Sequence, residues 1–434
     1  MQLNRPSTSL WGWVAHRLVA NYWFLAICAV IAAPIAFALS LALDRQYLSA
    51  LLIAHDLAPV ATSDTAKEVA SVIAGIDAAF ITLYFSISLI VLTIAAGNLG
   101  VRLIDRWLGR KLVRVSIAGL SFSLIFAVLT LAAIDAEAPL AQTPLATFSI
   151  TLLLLAVNVA MLAVALHDLG RTMFVDKAID ALADDAIAGV SAIAGRPPFA
   201  GEFAQTVAAP RDGYVEGVDL DRLVDRLSGH DGAVRICVAP GQHVLKGEPL
   251  ARFQRALTSP EAVRKALPIG PFRSDRQGSV FQIRLIVEIA ARALSPAVND
   301  FYTALAAADA LAEIMLRHRD SWVDPGQIAV SADHPRFELP GQDFRGLFGD
   351  PLNAFRQAAA DYPAVSIRMI DNYGRVMRGV GEAGGSRQLA SFLEDAARAL
   401  RDHAEGRAQT ERDRTDIRTA FAQAVSAGDE PAAG

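Results

Sequence analysis

The ionisable and hydroxyl side chains in one long apolar stretch, residues 70–98, are the first candidates for chemistry. At about 100° per helical residue, Asp77, Tyr84 and Ser88 share one side of a helix. Small and hydroxyl residues form a seam on roughly the opposite side: Ser71, Gly75, Ala79, Thr82, Ser86, Thr93 and Gly97. Because lipid favours neither stripe, we expect protein or water on both sides of this helix.

Two interpretations of these stripes remain open. The seam can be a close helix-packing surface whose hydroxyls bond to carbonyls one turn back. Alternatively, one stripe lines a polar path through the membrane with Asp77 as its ionisable group. The candidates for that path are Asp77, Thr82, Tyr84, Ser86, Ser88 and, from a later apolar segment, Asn158.

Four apolar segments are long enough to cross a bilayer: residues 22–43, 70–97, 115–134 and 144–166. Basic residues precede the first segment and fill the second loop, whereas the first and third loops are mainly acidic. The positive-inside rule therefore predicts a multi-pass protein with both termini in the cytoplasm.

The fourth apolar segment carries further polar groups. Thr147, Thr151 and Asn158 repeat the spacing of four and then seven residues found in the seam, and we expect them to pack against it. His167 and Asp168 close this segment at the membrane interface, and they form a second candidate pair for chemistry. A histidine at a helix C-terminus is also favoured by the helix dipole alone, so both interpretations stay open.

Composition and motifs argue against several classes of protein. Of 434 residues 53% are hydrophobic, and 40 Lys and Arg against 45 Asp and Glu give a net charge of −5, so nucleic acid is not an expected partner. Neither a pair of histidines four residues apart nor a CxxC, HExxH, GxSxG or GxxxxGK[ST] motif occurs. Residues 379–384 match GxGxxG, but polar residues precede them and we expect a turn between helices there. We therefore expect no enzyme, metal site or cofactor.

The chain divides into five predicted parts. Residues 1–170 form the four-span membrane domain, 171–200 an amphipathic connecting helix, and 201–258 a small β module. Residues 259–405 form a helical or α+β cytoplasmic domain, and 406–434 a charged tail expected to be disordered. The fold class is thus a membrane helical bundle joined to a cytoplasmic α+β region.

A tight corner joins two predicted helices, residues 279–294 and 301–317. Pro296 stops the first helix, and Asn299 or Asp300 can cap the second by accepting hydrogen bonds from its free amides. With Ser295, these side chains make either a helix stop and cap or a site for an anion or a charge on a neighbouring subunit.

Two resemblances add to this interpretation. The segments APRDGYV and APGQHVLKGEPL are similar to the sandwich-barrel fold of lipoyl and biotinyl carrier domains, although Lys246 lies in the VLKGE turn, and we expect a structural module. ARALSPAVNDFYTA, with the four spans and YPAVSIRMIDNYGRV, resembles a family of predicted bacterial membrane proteins catalogued as domain of unknown function 2254. That resemblance implies a bacterial inner-membrane location and offers no activity.

These observations lead to two hypotheses of function. The first is a homo-oligomeric gated pore or transport-type protein with a regulatory cytoplasmic domain, because four helices are few for enclosing a wide path in one subunit. The second is a non-conducting scaffold or sensor that binds a ligand or protein partner at the corner of residues 295–300. The lipid bilayer and further copies of the chain are the expected partners, and the ion or ligand is left open.

Overall fold

The computed structural model describes residues 22–99, 111–171, 175–188, 193–194, 196–257, 259–271, 278–321, 328–340, 344–383 and 387–429. The chain divides into two compact units, Met1–Phe174 and Val175–Gly434. Most of the basic residues on which the predicted orientation depends, those before residue 22 and in 100–110, lie outside the described residues, whereas Lys111 and Arg114 lie in the first turn of the third spanning helix.

The first unit is helical throughout its described residues apart from short loops. Helix α1 (Tyr22–Leu43) continues through one π-helical turn, Asp44–Leu48, into α2 (Ser49–Ala54). Helices α3 (Ser63–Leu99), α4 (Lys111–Ala133) and α5 (Leu145–Arg171) follow. Within the described part of the chain, four segments are long and apolar enough to cross a membrane: Phe24–Ala54, Ser63–Ile94, Lys111–Ala133 and Leu145–Gly170. The four spans predicted from hydropathy are therefore confirmed as helices.

A seven-residue repeat determines which sides of these helices are buried. On α3 the buried positions include Ser63, Ala70, Asp77, Tyr84 and Val91. The same spacing relates buried Ser116, Ser123 and Thr130 on α4, and buried Thr151, Asn158 and Ala165 on α5. A repeat of seven residues is typical of helices that cross at a small angle and pack in successive layers. Because many repeat positions are polar, several of these layers are polar.

The second unit contains both helices and strands. Its helices are α6 (Val175–Ala188), α7 (Leu220–Arg226), α8 (Glu261–Ala266), α9 (Ser279–Ala293), α10 (Phe301–Arg317), α11 (Phe344–Ala359), α12 (Pro363–Glu382), α13 (Arg387–Arg407) and α14 (Glu411–Asp429). Its strands are β1 (Ile193–Ala194), β2 (Gln205–Ala208), β3 (Gly213–Val215), β4 (Val234–Ile236), β5 (His243–Val244), β6 (Pro249–Phe253), β7 (Ile269–Gly270), β8 (Ile328–Ser331) and β9 (Phe337–Pro340). The predicted connecting helix of residues 171–200 is shorter than expected, because α6 ends at Ala188.

The predicted β module does not stand alone. A six-stranded sheet has the order β1-β8-β9-β4-β6-β2, and a three-stranded sheet has the order β5-β3-β7. Strand β4 pairs in parallel with β9, which lies about a hundred residues later in the chain, so the module shares its sheet with that distant segment. Among the described strands no barrel closes, and the sandwich-barrel detail is not confirmed.

A buried ion pair fastens an irregular segment to the six-stranded sheet. Arg235 Nε donates to Glu338 Oε2 at 2.6 Å, and the Glu338 side chain is almost fully buried. The same guanidinium donates to the carbonyl of Phe199 at 2.6 Å, while the Phe199 amide donates to Glu338. Arg235 also lies 4.6 Å from the ring centre of Phe203. Strands β4 and β9 therefore hold residues 199–203 in place.

The predicted disorder of residues 406–434 is wrong for most of that segment. Helix α13 extends to Arg407, and α14 packs against α12, where a Cβ on Gly374 would lie 2.8 Å from Ala424 Cα. Ile417, Ala420 and Ala424 form the buried stripe of α14 at helical spacing. Its many charges lie on the other side, in pairs such as Arg414 with Glu411.

The turn expected over the whole GxGxxG match begins only at its fifth residue, Ala383, because its first four residues belong to helix α12. Gly379 and Gly381 lie within the continuous helix α12. A Cβ on Gly379 would lie 2.5 Å from Leu316 Cδ1, so this glycine allows α10 and α12 to approach closely.

A buried histidine joins three helices of the second unit. His318, directly after α10, is 2% exposed; its Nε2 lies 3.1 Å from the carbonyl oxygen of Ala186, and its ring packs edge-on against Phe348. Burial lowers the pKa of His318, and the contact with the Ala186 carbonyl offsets part of that shift.

We expect this histidine to make the second unit less stable in acid. In the unfolded chain His318 binds a proton near pH 6.5, and in the folded chain it does so only at lower pH. Its contribution to the free energy of unfolding is therefore full above pH 6.5 and declines below it. For one proton, the free energy of unfolding changes by at most about 1.4 kcal/mol per pH unit. Hydrogen exchange of the α10 amides should therefore rise between pH 7.5 and pH 5.5, after correction for intrinsic exchange. His318→Gln should show a smaller rise, and an equal rise in both proteins would contradict this role.

Candidate functional site in the membrane unit

Asp77 lies at the centre of a contact among three spanning helices. Its side chain on α3 is fully buried, and both carboxylate oxygens accept hydrogen bonds from other helices. Ser123 Oγ on α4 donates to Oδ2 at 2.6 Å, and Asn158 Nδ2 on α5 donates to Oδ1 at 2.9 Å. An ionisable side chain inside a membrane bundle is costly, and it commonly marks an ion or proton pathway.

A second polar layer lies one repeat along the bundle. Thr130 is seven residues from Ser123, Thr151 is seven residues from Asn158, and their Oγ1 atoms are 3.1 Å apart. Both hydroxyls also contact the carbonyl one turn back on their own helix. Buried Ile73 and Phe126 lie, along their helices, between this layer and the Asp77 layer. The two polar layers are thus separated by apolar side chains.

The π-helical turn brings a second carboxylate to the start of α5. Asp44 is 2% exposed; Oδ2 accepts from the Thr147 amide at 2.8 Å, and Oδ1 accepts from the Ala146 amide at 3.2 Å and from Ser49 Oγ. Ser49 Oγ in turn accepts from the Leu145 amide at 2.9 Å. The free amides of a helix N-terminus attract negative charge, so Asp44 acts as a cap supplied by a distant segment.

Further hydroxyls link the Asp44 cap with neighbouring helices. Ser40 Oγ on α1 lies 2.8 Å from Thr147 Oγ1 on α5. Ser63 Oγ, in the first turn of α3, lies 2.6 Å from Thr143 Oγ1 and donates to the carbonyl of Ala138 at 2.7 Å.

The buried polar groups continue on the other side of Asp77. Tyr84 lies seven residues further along α3, and Ser116 lies seven residues before Ser123 on α4; both are buried, as is Ser88. The hydroxyls of Ser88 and Ser116 are near the Tyr84 hydroxyl, but within the described residues neither makes a hydrogen bond of good geometry. These side chains together are called the polar series, and its members are Tyr84, Ser88, Ser116, Asp77, Ser123, Asn158, Thr130, Thr151, Thr147 and Ser40.

The structure divides the sequence-predicted path residues into two groups. Asp77 and Asn158 are in direct contact, and Tyr84 and Ser88 lie on the same buried side of α3. Thr82 and Ser86 are exposed on the other side, and Thr82 Oγ1 donates to the carbonyl of Ala78 on its own helix at 3.0 Å.

The small-residue seam is exposed along its whole length. Apart from the neighbouring residues and backbone of α3 itself, no heavy atom of the described chain lies within 4 Å of a Cβ built on Gly75 or Gly97. The expectation that Thr147, Thr151 and Asn158 pack against this seam is therefore wrong, because α3 turns Asp77 rather than the seam towards α5. Burial of the carboxylate beside hydrogen-bond donors accounts for this rotation.

Sequence reasoning missed Ser123, Thr130 and Asp44. The spacing of Ser116, Ser123 and Thr130 repeats that of Asp77 and Tyr84, so the third span carried a detectable signal. Asp44 carried none, because an acidic residue after an apolar run is ordinary for a loop.

Of the predicted interface pair, Asp168 interacts electrostatically with Tyr84 of the polar series. His167 is exposed and Asp168 is half-buried near the end of α5. Within the described residues, moreover, no group of three or more His, Cys, Asp or Glu side chains is arranged to hold a metal ion.

The corner of residues 295–300 in the second unit uses most of its polar groups to hold its own shape. Asp300 caps α10 by accepting from the Thr303 amide at 3.2 Å and from Thr303 Oγ1 at 2.6 Å. Asn299 has a φ of +50°, and Tyr362 Oη donates to the carbonyl of Leu294 at 2.7 Å. The carbonyl of Ser295 accepts from the amide of Asn299 at 2.9 Å. Val298 in this corner and Phe301 and Tyr302 directly after it are exposed.

Comparison with known proteins identifies a family but no activity. A family model described as "Predicted membrane protein (DUF2254)" matches residues 20–374. Uncharacterised proteins from Mycobacterium tuberculosis and Mycobacterium bovis are each 33% identical over 117 residues, which is 25% of this chain and 22% of each relative. The matched part is thus about a fifth of the length of these relatives. No solved structure matches the chain.

Proposed function

The chain belongs to the DUF2254 family of predicted membrane proteins, and we propose that it is a transport-type protein that moves a cation through the interior of its membrane unit. The observation that carries this proposal is the fully buried Asp77, held by Ser123 and Asn158 from two other helices. Asp77 is the ionisable group of the path.

A purely structural role explains these contacts less well. Neutral hydroxyl or amide side chains can join spanning helices, and each such hydrogen bond contributes about 1 kcal/mol. A carboxylate in the same place costs about 2.5–3.5 kcal/mol to insert at a helix centre on insertion scales. The polar series also continues on both sides of Asp77. Packing of the helices at the level of Asp77 alone does not require a series of buried polar side chains on both sides of it.

The geometry favours a path inside each subunit over a path on the axis of a ring. An axial path needs exposed polar residues to face one another across the axis, and among the predicted path residues Thr82 and Ser86 are exposed. Asp77, the ionisable candidate, and the rest of the polar series instead face inward. We retain the homo-oligomer as a proposal, together with a bacterial inner-membrane location and cytoplasmic termini.

We expect the purified wild-type protein to make liposomes permeable to a cation. Vesicles with and without the protein would be compared under an imposed membrane potential, with the internal cation composition varied one species at a time. Wild-type vesicles should discharge the potential faster than protein-free vesicles for at least one cation. Equal discharge in both, for every cation and for the proton, would contradict the proposal.

One observation favours the scaffold or sensor as a second candidate. Val298, Phe301 and Tyr302 expose apolar surface in and directly after the corner, and the Phe301 and Tyr302 rings lie 4.1 Å apart. Exposed clusters of this kind are typical of binding surfaces. This candidate gains support if reconstituted protein conducts nothing.

A further inference from the structure

The groups around Asp77 are hydrogen-bond donors. One carboxylate oxygen accepts from the Ser123 hydroxyl and the other from the Asn158 amide nitrogen. A metal cation requires the opposite arrangement, with several oxygen lone pairs converging on one point. A proton requires only one carboxylate oxygen and a partner that can donate or accept.

Most of the polar series consists of hydroxyl groups, which can both donate and accept a hydrogen bond. The Thr130 and Thr151 hydroxyls are in contact at 3.1 Å, and those of Ser40 and Thr147 at 2.8 Å. On the other side of Asp77, the buried hydroxyls of Ser88 and Ser116 make no good hydrogen bond within the described chain. Buried polar groups in that state are commonly satisfied by internal water. Hydroxyl side chains and internal water molecules that are hydrogen-bonded in this way can transfer a proton from one to the next.

The apolar layer between Asp77 and the Thr130–Thr151 pair excludes a wide hydrated channel. Seven helical residues separate the two polar layers, which is about 10 Å along the bundle. Ile73 and Phe126 are 1% and 2% exposed within that interval. A hydrophobic constriction blocks a hydrated ion because water leaves it. A transient file of a few water molecules is enough for a proton.

From these three observations we infer that the cation carried by this protein is the proton. This inference rests on the proposed function. In the step at Asp77, the O–H bond of the protonated carboxyl breaks as a new O–H bond forms on an adjacent water molecule. The carboxylate that remains accepts hydrogen bonds from Ser123 and Asn158 until a proton from the other side restores the acid.

The test compares proton flux with alkali-cation flux in the same vesicles. A pH-sensitive dye is enclosed in liposomes containing the full chain, and a potassium gradient with valinomycin drives proton entry. Sodium and potassium uptake are measured separately with radioactive tracers. We expect wild-type protein to carry protons, Asp77→Asn to lower that flux by about 100-fold, and Asp77→Glu to retain part of it. Sodium and potassium uptake should equal that of protein-free vesicles.

The outcomes separate this inference from the proposed function. If sodium or potassium flux depends on Asp77 and no proton flux is found, the inference that the carried cation is the proton is overturned. The transport proposal would remain intact. No cation flux above that of protein-free vesicles would overturn both. If Asp77→Asn fails to fold, the flux of the wild-type protein is compared in H2O and D2O. The flux should be slower in D2O, and an unchanged rate would contradict the inference.

Discussion

Replacing Asp77 with Asn should lower the cation flux of the reconstituted protein by about 100-fold and leave its fold intact, the loss expected when a positioned acid–base group is removed. Asn has nearly the same shape, and its Oδ1 still accepts the hydrogen bond from Ser123. The Asn side chain cannot bind and release a proton, and it has no negative charge to neutralise a cation. Removing a buried carboxylate should change stability by no more than about 1–2 kcal/mol, because the lost hydrogen bond and the lower desolvation penalty offset each other.

Exposed hydroxyls on the same helix provide the matched controls. Thr82→Val and Ser86→Ala remove polar groups from the opposite side of α3, and both side chains are exposed. Flux and thermal midpoint should be unchanged in both variants. The interior path is contradicted if these controls lose as much flux as Asp77→Asn, or if Asp77→Asn conducts like the wild type.

The second large effect is expected at Asp44, on stability. Asp44→Ala leaves the amides of Ala146 and Thr147 without their buried acceptor, and the Ser49 hydroxyl keeps only the Thr143 carbonyl. Hydrogen bonds to charged groups contribute about 1.5–3 kcal/mol each and helix caps up to about 2 kcal/mol. We therefore expect a loss of about 3 kcal/mol or more. Thermal unfolding in nanodiscs measures it.

Two variants determine whether this loss comes from the cap. Asp44→Asn should lose much less, because Asn is also a good helix cap. Glu68→Ala removes an exposed acid from α3 and should unfold like the wild type. An Asp44→Ala protein that unfolds at the same temperature as Glu68→Ala would show that the cap does not stabilise α5.

The sequence identifies the spanning helices but does not determine how they rotate against one another. Hydropathy alone is enough for the four spans, because about twenty apolar residues in a row have few other stable environments. The two stripes of α3 were equally visible, yet only the folded bundle shows that Asp77 faces inward and the small-residue seam outward. That choice depends on Ser123 and Asn158, which lie far away in the chain.

Long-range pairing also explains the errors in the second unit. Alternating residues were enough to predict strands near residues 205–253, but one of the two partners of β4 is β9, which no local pattern indicates. In the C-terminal segment, high charge concealed the buried spacing of Ile417, Ala420 and Ala424. Both errors concern contacts between distant segments.

Thiol modification at two positions tests most directly whether the path lies inside the bundle. Ser123→Cys and Ser86→Cys would each be made in a background where Cys28 and Cys237 are replaced by Ala. Mercuric chloride, a small neutral thiol reagent that needs no wide aqueous channel to reach a buried side chain, is then added to reconstituted protein, and cation flux is measured before and after. We predict that modification at residue 123 blocks the flux and modification at residue 86 does not. Block at residue 86 with no effect at residue 123 would contradict the interior path.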